Sequence, residues 1–309
     1  MTGKELEQYL LQSLNMALGS MMQGETSYTN SFTCKVTEEG FYFLPRLPAG
    51  YIIDDDLYQK IFLIASAALY PKFTLLKQNS AYFVPMDTDD IHTQRALFFP
   101  WQQGISERLV ITDLDRFTST LMNQQIPIMK QLTLNYQNIT SIAIAGNSGS
   151  GKSYMLTYLL SVLKPISELI IVDPKFDTPS RWARIHDIAV IHPHQNRSKS
   201  DFLSEINENL SHCLQVIQQR QTILYNDPDY QFEHLTIVID EVLALAEGVN
   251  KAIKDAFFSL LSQIALLGRA TKVHLLLVSQ RFDHQTIPVS VREQLNVLIQ
   301  IGNINKKTT

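Results

Sequence analysis

The residues with the clearest chemical potential form one short glycine-rich segment. Residues 146–153 read GNSGSGKS and match the pattern G-x-x-x-x-G-K-[ST], whose backbone N–H groups surround phosphate oxygens. An apolar run, SIAIA, precedes the segment, and a helical pattern, SYMLTYLLSVL, follows it. The sequence therefore predicts a phosphate-binding loop (P-loop) between a strand and a helix.

Each residue type in this loop has a physical reason to be there. Glycines let the backbone curl around phosphate oxygens, and the helix start adds partial positive charge. Lys152 is expected to reach the β- and γ-phosphates of ATP, and the Ser153 hydroxyl to bind Mg²⁺. The predicted nucleotide-binding residues are Gly146, Asn147, Ser148, Gly149, Ser150, Gly151, Lys152, Ser153 and Tyr154.

Two adjacent acids could complete an ATP-hydrolysing site. Residues 236–241 read TIVIDE, an apolar strand that ends in a pair of carboxylates. Asp240 is expected to hold Mg²⁺ together with Ser153, and Glu241 to orient or deprotonate the attacking water. An acid pair can also merely mark a strand end, but a P-loop earlier in the same chain favours the catalytic interpretation.

The second half of the chain alternates apolar strands with amphipathic helices. This pattern indicates βαβ units and a doubly wound parallel sheet, so the predicted fold class is α/β. Predicted strands are 141–145, 168–172, 188–191, 235–239, 273–278 and 296–301, and predicted helices are 151–163, 202–225, 252–267 and 289–294. The chain stops soon after the last strand, at NINKKTT, and this abrupt end suggests truncation.

The first half mixes helices with short strands and is predicted to be a smaller α+β domain of unknown role. We place the division at residues 127/128, giving domains 1–127 and 128–309. Predicted helices are 4–18 and 55–69, and predicted strands are 40–44, 81–84 and 109–112. The acidic triplet at residues 54–56 could bind a metal, but carboxylates more often mark a helix start.

Composition is that of an ordinary globular protein. The formal net charge is −4, with −5 in residues 1–127 and +1 in residues 128–309, so bulk charge does not favour nucleic-acid binding. The two cysteines fit a reducing compartment and no metal framework. Neither a signal peptide nor a membrane-spanning run is visible, and a cytoplasmic location is expected.

Further strings resemble one family of motors, in order along the chain. IIVDPKF (170–176), VIQQRQ (216–221) and GRATKVHLLLVSQR (268–281) are similar to motifs of the FtsK/SpoIIIE DNA translocases. Arg220 takes the place of a family arginine, whereas Gln221 stands where the family has tyrosine. The resemblance covers residues 126–305 and implies a RecA-like P-loop NTPase core.

The resemblance also implies roles for residues outside the P-loop. Gln280 would contact the γ-phosphate as a sensor. It stands at the end of the strand next to the one that carries the acid pair (the Walker B strand). Arg269 would be an arginine finger that reaches a neighbouring subunit's nucleotide, with Arg281 as the second choice. For each arginine the alternative is an ordinary surface salt bridge.

At the level of the whole protein, the resemblance implies a homo-hexameric ring that moves double-stranded DNA with energy from ATP. Candidate pore-loop cations are Arg197, Lys199, Lys251 and Lys254, although ordinary solvated loops would look the same. Membrane spans and a winged-helix domain of the cell-division motors are not seen. A plasmid or mobile-element role is therefore favoured, with plasmid or conjugation proteins as partners of the N-terminal domain.

Two other functions stay open. Type VII-like protein-export ATPases share the motifs, and a non-motor replication or partition switch would need only nucleotide binding. The pair His192 and His194 could suggest a metal site, but no partner acids or cysteines stand at metal-binding spacing.

Overall fold

A computed structural model of the protein describes residues 3–20, 31–47, 49, 52–78, 81–282 and 287–302. The chain folds into two compact units, residues 1–108 with 129–131, and residues 109–128 with 132–309. Part of the carboxyl end, residues 303–309, lies outside the described residues, as does the segment 283–286.

The first unit combines an antiparallel sheet with two helices. Its elements are α1 (Gly3–Ser20), β1 (Phe32–Val36), β2 (Gly40–Pro45), α2 (Asp55–Leu69), β3 (Phe73–Leu75), β4 (Phe83–Pro85) and β5 (Arg95–Gln103). β5 pairs antiparallel with β2, β3 and β4, and β1 pairs with β2.

Burial explains how these elements pack. Every fourth residue of α1, from Leu6 to Leu18, is buried, as expected for one apolar stripe of a helix. The stacked rings of Phe41, Tyr58 and Phe99 join the sheet to α2. α2 begins where the acidic triplet predicts a helix start, because the Asp54 carboxylate accepts a hydrogen bond of 2.9 Å from the N–H of Leu57.

The remaining elements follow in chain order: α3 (Leu114–Ser119), β6 (Gln125–Met129), β7 (Leu132–Asn135), β8 (Ser141–Gly146), α4 (Lys152–Leu163), β9 (Ser167–Val172), α5 (Thr178–Ile185), β10 (Val190–Ile191), α6 (Lys199–Asn226), β11 (His234–Ile239), α7 (Val242–Ala246), α8 (Lys251–Thr271), β12 (Val273–Ser279), α9 (Val289–Arg292) and β13 (Val297–Ile301). β6 and β7 form a separate hairpin.

Six of these strands form one parallel sheet in the order β10-β9-β11-β12-β8-β13. Alternate residues of the central strands enter two apolar clusters, with Ile237 in one and Val238 in the other. A sheet buried in this way on both faces needs continuous apolar strands, as the sequence shows. The predicted α/β class with a parallel sheet and a preceding α+β region is therefore confirmed.

Several sequence-based expectations were wrong in detail. Residues 109–112 form no strand, and Val110 is 83% exposed. The segment 109–128 groups with the second unit, not the first, since Ile126 is fully buried in the same cluster as β8 and α4. The longest strand of the first unit, β5, was not predicted, and neither were α5 and the β6–β7 hairpin.

Across the described residues, none of the helices combines the length and the apolar character that crossing a lipid bilayer requires.

Candidate functional site

The P-loop connects β8 to α4 as predicted. β8 is buried along its full length and delivers the loop to the carboxyl edge of the sheet. Gly149 (φ 76°) and Gly151 (φ 102°) have left-handed backbone conformations that side chains with a Cβ rarely adopt. A Cβ on Gly146 would lie 2.6 Å from the carbonyl oxygen of Ile301 in the adjacent strand β13, so glycine is required there for space.

Lys152 is buried at the centre of this loop. Its Nζ donates hydrogen bonds to the carbonyl oxygens of Gly146 (2.7 Å) and Asn147 (3.1 Å). The ammonium group is thus held by the loop itself. The neighbouring Ser153 is exposed, and Tyr154 is 87% exposed, so both side chains are accessible to a ligand.

The acid pair follows β11, two strands away from β8 with β12 between them. The backbone N–H of Asp240 donates to the carbonyl oxygen of Val172 (3.0 Å), which ties the strand end to β9. Glu241 has a left-handed backbone (φ 46°), and its side chain is only 8% exposed. Burial, together with the charges of Glu241 and Asp173, raises the pKa of Asp240 to about 6.

The VDPK motif forms the third part of the site. Asp173 is fully buried, and its carboxylate accepts hydrogen bonds from the N–H groups of Lys175, Asp177 and Ser180 and from the Ser180 hydroxyl. These bonds fix the turn between β9 and α5, where Phe176 has a left-handed φ of 52°. Asp173 is therefore a structural centre of this turn.

The turn places Lys175 opposite Glu241. Lys175 Nζ lies 2.6 Å from Glu241 Oε1, and this hydrogen bond raises the pKa of the lysine. Sequence reasoning singled out the motif but assigned Lys175 no role. The position of Lys175 in the sequence could have predicted this contact. In a parallel sheet, a lysine shortly after the end of β9 lies at the same edge as the acids that follow β11.

All three parts line one cavity of about 210 Å³ at the carboxyl edge of the sheet. From the predicted set, it is lined by Ser148, Gly149, Gly151, Lys152, Ser153, Tyr154, Asp240 and Glu241. Lys175, Asp177, Thr178 and Pro179 line it as well. Gly146, Asn147 and Ser150 belong to the loop but are not among the lining residues, and the Ser150 hydroxyl is buried without a hydrogen-bond partner in the described structure.

These residues fit a magnesium nucleotide. The left-handed glycines and Lys152 provide donors for phosphate oxygens, and Ser153 and Asp240 provide the oxygen ligands that Mg²⁺ prefers. Mg²⁺ is usually held by one or two protein carboxylates together with phosphates and water. In the described part of the chain, no three His, Cys, Asp or Glu side chains form a cluster that could hold a metal ion.

The proposed sensor and finger residues lie at opposite edges of the sheet. Gln280 directly follows β12, at the same edge as the P-loop, but it is exposed and is not among the cavity-lining residues. Arg269 lies in the last turn of α8, just before β12 begins, and is therefore at the amino edge. Arg281 follows Gln280 and is exposed.

The four candidate DNA-contacting cations share the carboxyl edge. Arg197 and Lys199 lie between β10 and the body of α6, and Lys251 begins α8. Arg197 is engaged in an ion pair with Glu205 (2.6 Å) on α6. Lys254 lies 5.9 Å from the centre of the Phe258 ring. These contacts leave the predicted DNA role untested.

Arg220 makes contacts that hold neighbouring elements of the fold together. Its guanidinium donates to the carbonyl oxygens of Glu233 (2.9 Å) and Thr271 (2.7 Å) and lies 5.0 Å from the Phe232 ring centre. It thereby joins α6 to the starts of β11 and β12, at the amino edge of the sheet. Arg220 therefore serves packing at the edge of the sheet opposite the cavity.

Parallel topology, the P-loop and the acid pair define the class: the chain has the fold of a RecA-like P-loop ATPase. It is similar to the FtsK domain-containing protein YdcQ of Bacillus subtilis (strain 168), with 22% identity over an alignment of 187 residues that covers 58% of this chain and 38% of YdcQ. This similarity agrees with the family resemblance that the motifs carry. No protein-family model matches it.

A solved structure shows the same fold. The pCW3 conjugation coupling protein TcpA, in a monomer form with ATPγS, aligns with a TM-score of 0.52 and 16% identity, covering 96% of this chain and 82% of TcpA. The cytoplasmic domain of EssC aligns over 57% of this chain and 35% of its own, with 16% identity and a TM-score of 0.43. A score that low supports no conclusion. The chain spans less than half of YdcQ, so the activity of that whole protein does not transfer directly.

Proposed function

We propose that the protein is an ATP-driven motor of the FtsK type that moves along double-stranded DNA. The observation that carries the proposal is the shared cavity, in which Lys152 of the P-loop and the carboxylates Asp240 and Glu241 face one space. A site for nucleotide binding alone would not need a buried glutamate beside the magnesium-binding aspartate. Hydrolysis does need such a base.

Each residue of the site has its own role in nucleotide binding or hydrolysis. Lys152 and the loop N–H groups bind the β- and γ-phosphates, and Ser153 and Asp240 hold the magnesium ion. Bound Mg²⁺ supplies charge neutralisation of the phosphates. Glu241 orients the water for attack, and Gln280, at the end of β12, reports on the terminal phosphate.

The DNA-directed part of the proposal rests on the similarity of the chain to an FtsK domain-containing protein. In a hexameric ring, basic residues near the carboxyl edge, among them the exposed Lys199 and Lys251, would contact phosphates without reading bases. Arg269 would act on the nucleotide of a neighbouring subunit. The name of TcpA, a conjugation coupling protein, suggests transfer of plasmid DNA as the process, with partners at the N-terminal unit.

The test is the effect of DNA on hydrolysis. We expect the steady-state ATPase rate to rise several-fold on adding linear double-stranded DNA of several kilobases, and not on adding a short duplex of equal nucleotide concentration. Lys199→Ala combined with Lys251→Ala should reduce this stimulation while the DNA-free rate stays unchanged. If the assembled protein hydrolyses ATP at the same rate with and without any nucleic acid, the motor proposal is wrong, and a nucleotide switch becomes the better description.

A further inference from the structure

The ion pair between Lys175 and Glu241 joins two walls of the cavity. Its atoms, Nζ and Oε1, are 2.6 Å apart. Glu241 is almost fully buried, with 8% of its side chain exposed, whereas 55% of the Lys175 side chain is exposed. The pair therefore consists of one fixed partner and one partner that can move through solvent.

In this arrangement Glu241 is not ready to act as a base. A general base needs an oxygen within hydrogen-bond reach of the water it activates. One of the two carboxylate oxygens of Glu241, Oε1, already accepts a hydrogen bond from the Lys175 ammonium group. The ligand-free site thus holds its candidate base in a resting state.

The backbone of Lys175 is fixed, but the end of its side chain is not. The Lys175 N–H donates to Asp173 Oδ1 (3.0 Å), and Asp173 itself is fully buried. From this anchored Cα, a flexible four-carbon stem carries the ammonium group. A triphosphate bound by Lys152 and Ser153 would occupy the same cavity that Lys175 lines.

Removing the cation from a buried carboxylate costs free energy. A change of partner therefore requires a stronger anion nearby, and the terminal phosphate of ATP is such an anion. ADP lacks that group, so with ADP bound the contact between Lys175 and Glu241 has no competitor.

We infer that Lys175 is a positioning residue that senses the terminal phosphate by exchanging partners, leaving Glu241 for the γ-phosphate of bound ATP. The exchange frees Glu241 only when a hydrolysable nucleotide is present. This inference rests on the proposed nucleotide site, but it does not depend on DNA or on ring assembly.

The experiment measures equilibrium binding of ATPγS and ADP, each with Mg²⁺, to the full chain by calorimetry. In Lys175→Gln the affinity for ATPγS should fall about tenfold or more while the affinity for ADP changes little, because a charged hydrogen bond to the terminal phosphate is lost. Lys164→Gln, which changes an exposed lysine beyond the end of α4, is the matched control and should leave both affinities unchanged.

A second arm tests the exchange itself. Glu241→Gln removes the competitor for Lys175, so ATPγS affinity should rise relative to the wild type. When Glu241→Gln is introduced into Lys175→Gln, the gain in ATPγS affinity over Lys175→Gln alone should be at least about threefold smaller than the gain in the wild-type background. A difference of this size is within the range of coupling for residues in contact. The double variant also avoids an unpaired buried carboxylate, so it tests the inference even if the single lysine variant folds poorly.

Two results would overturn the inference. One is an unchanged ratio of ATPγS to ADP affinity in Lys175→Gln, and the other is an equal gain from Glu241→Gln in both backgrounds. If the wild type binds neither nucleotide, the proposed function fails at its first step. If the wild type binds both and the lysine variants behave like it, only the partner exchange is wrong.

Discussion

Lys152 Nζ donates a 2.7 Å hydrogen bond to the carbonyl oxygen of Gly146, the residue at which β8 ends and the P-loop begins. A second bond, to the Asn147 carbonyl, holds the same ammonium group. The cation is thus pre-positioned inside the loop, and it faces the cavity that Asp240 and Glu241 also line. Phosphate binding at this point needs a change in the hydrogen-bond partners of Lys152.

Lys152→Ala should abolish the function of the site. The substitution removes the charged donor for the β- and γ-phosphates, and we expect the affinity for ATP to fall roughly 10- to 150-fold, the range for hydrogen bonds to charged groups. Binding of a fluorescent ATP analogue measures the effect. Lys164→Ala, also a lysine of the α4 region but exposed, is the control. Equal affinity in Lys152→Ala and the wild type would show that the loop does not hold the nucleotide.

Glu241→Gln should separate binding from hydrolysis. The amide keeps the size of the side chain but cannot accept a proton, so we expect ATP to bind while turnover slows at least about 100-fold. Single-turnover hydrolysis of radiolabelled ATP measures the chemical step directly. Turnover at the wild-type rate would assign the base to another group.

Asp240 should make magnesium-dependent binding sensitive to pH. Its pKa is about 6, because burial and the neighbouring acids disfavour the charged form. Protons therefore compete with Mg²⁺ for the carboxylate, and the affinity for the magnesium nucleotide should fall as the pH is lowered from 7 to 5. In Asp240→Asn the affinity should be weak and should depend much less on pH over this range.

The same raised pKa has the opposite effect on the stability of the ligand-free protein: lowering the pH weakens nucleotide binding but increases the contribution of Asp240 to the free energy of unfolding. The folded chain binds the Asp240 proton more tightly than the unfolded chain, whose aspartate has a pKa near 3.8. The contribution of this residue to the free energy of unfolding is thus present in acid and lost as the pH rises from about 4 to about 6. Urea unfolding should show Asp240→Asn gaining stability relative to the wild type across this interval, and a pH-independent difference would contradict the shift.

Much of the second unit could be predicted from its sequence. Buried parallel strands are continuous apolar runs, and the P-loop pattern fixes a strand, a turn and a helix at once, so the predicted bounds of β8 and α4 agree with the structure within one residue. The first unit was harder. β5 is rich in aromatic residues and contains Pro100, and its pairing with three other strands depends on contacts distant in sequence.

Contacts across the sheet explain what else sequence reasoning missed. The acid pair was recognised, but its partner Lys175 comes from another strand end, 66 residues earlier in the chain. At the amino edge, His234 and His274 form a buried hydrogen bond of 2.7 Å, and burial lowers the pKa of each to about 4. Neither pair could be derived without the order of the strands.

Arg220 should matter for stability and not for chemistry. Arg220→Ala removes two hydrogen bonds to the carbonyls of Glu233 and Thr271 together with the contact over Phe232, and we expect a loss of about 2 to 4 kcal/mol in the free energy of unfolding. Arg197→Ala, which breaks an exposed ion pair with Glu205, should cost at most about 1 kcal/mol. Urea denaturation compares the two variants, and similar small losses in both would refute the packing role.

The position of Arg269 in the fold allows a direct test of whether subunits assemble into a working ATPase. It lies in the last turn of α8, at the amino edge of the sheet, whereas Lys152 lies at the carboxyl edge. β8 has six residues and β12 has seven, so these edges lie about 20 to 23 Å apart, too far for an arginine side chain to reach the nucleotide of its own subunit. Arg269 can act on hydrolysis only in a neighbouring subunit.

Mixing two inactive variants tests this directly. Lys152→Ala should not hydrolyse ATP but keeps the arginine. Arg269→Ala should bind ATPγS normally but hydrolyse ATP at least about 1,000-fold more slowly, the lower end of the range for an arginine finger. In mixed assemblies, some Arg269→Ala subunits receive an intact arginine from a Lys152→Ala neighbour. The mixture should therefore regain ATPase activity that neither variant shows alone. If it stays inactive although light scattering shows mixed oligomers, the finger is another residue, and Arg281 at the carboxyl edge is the next to substitute.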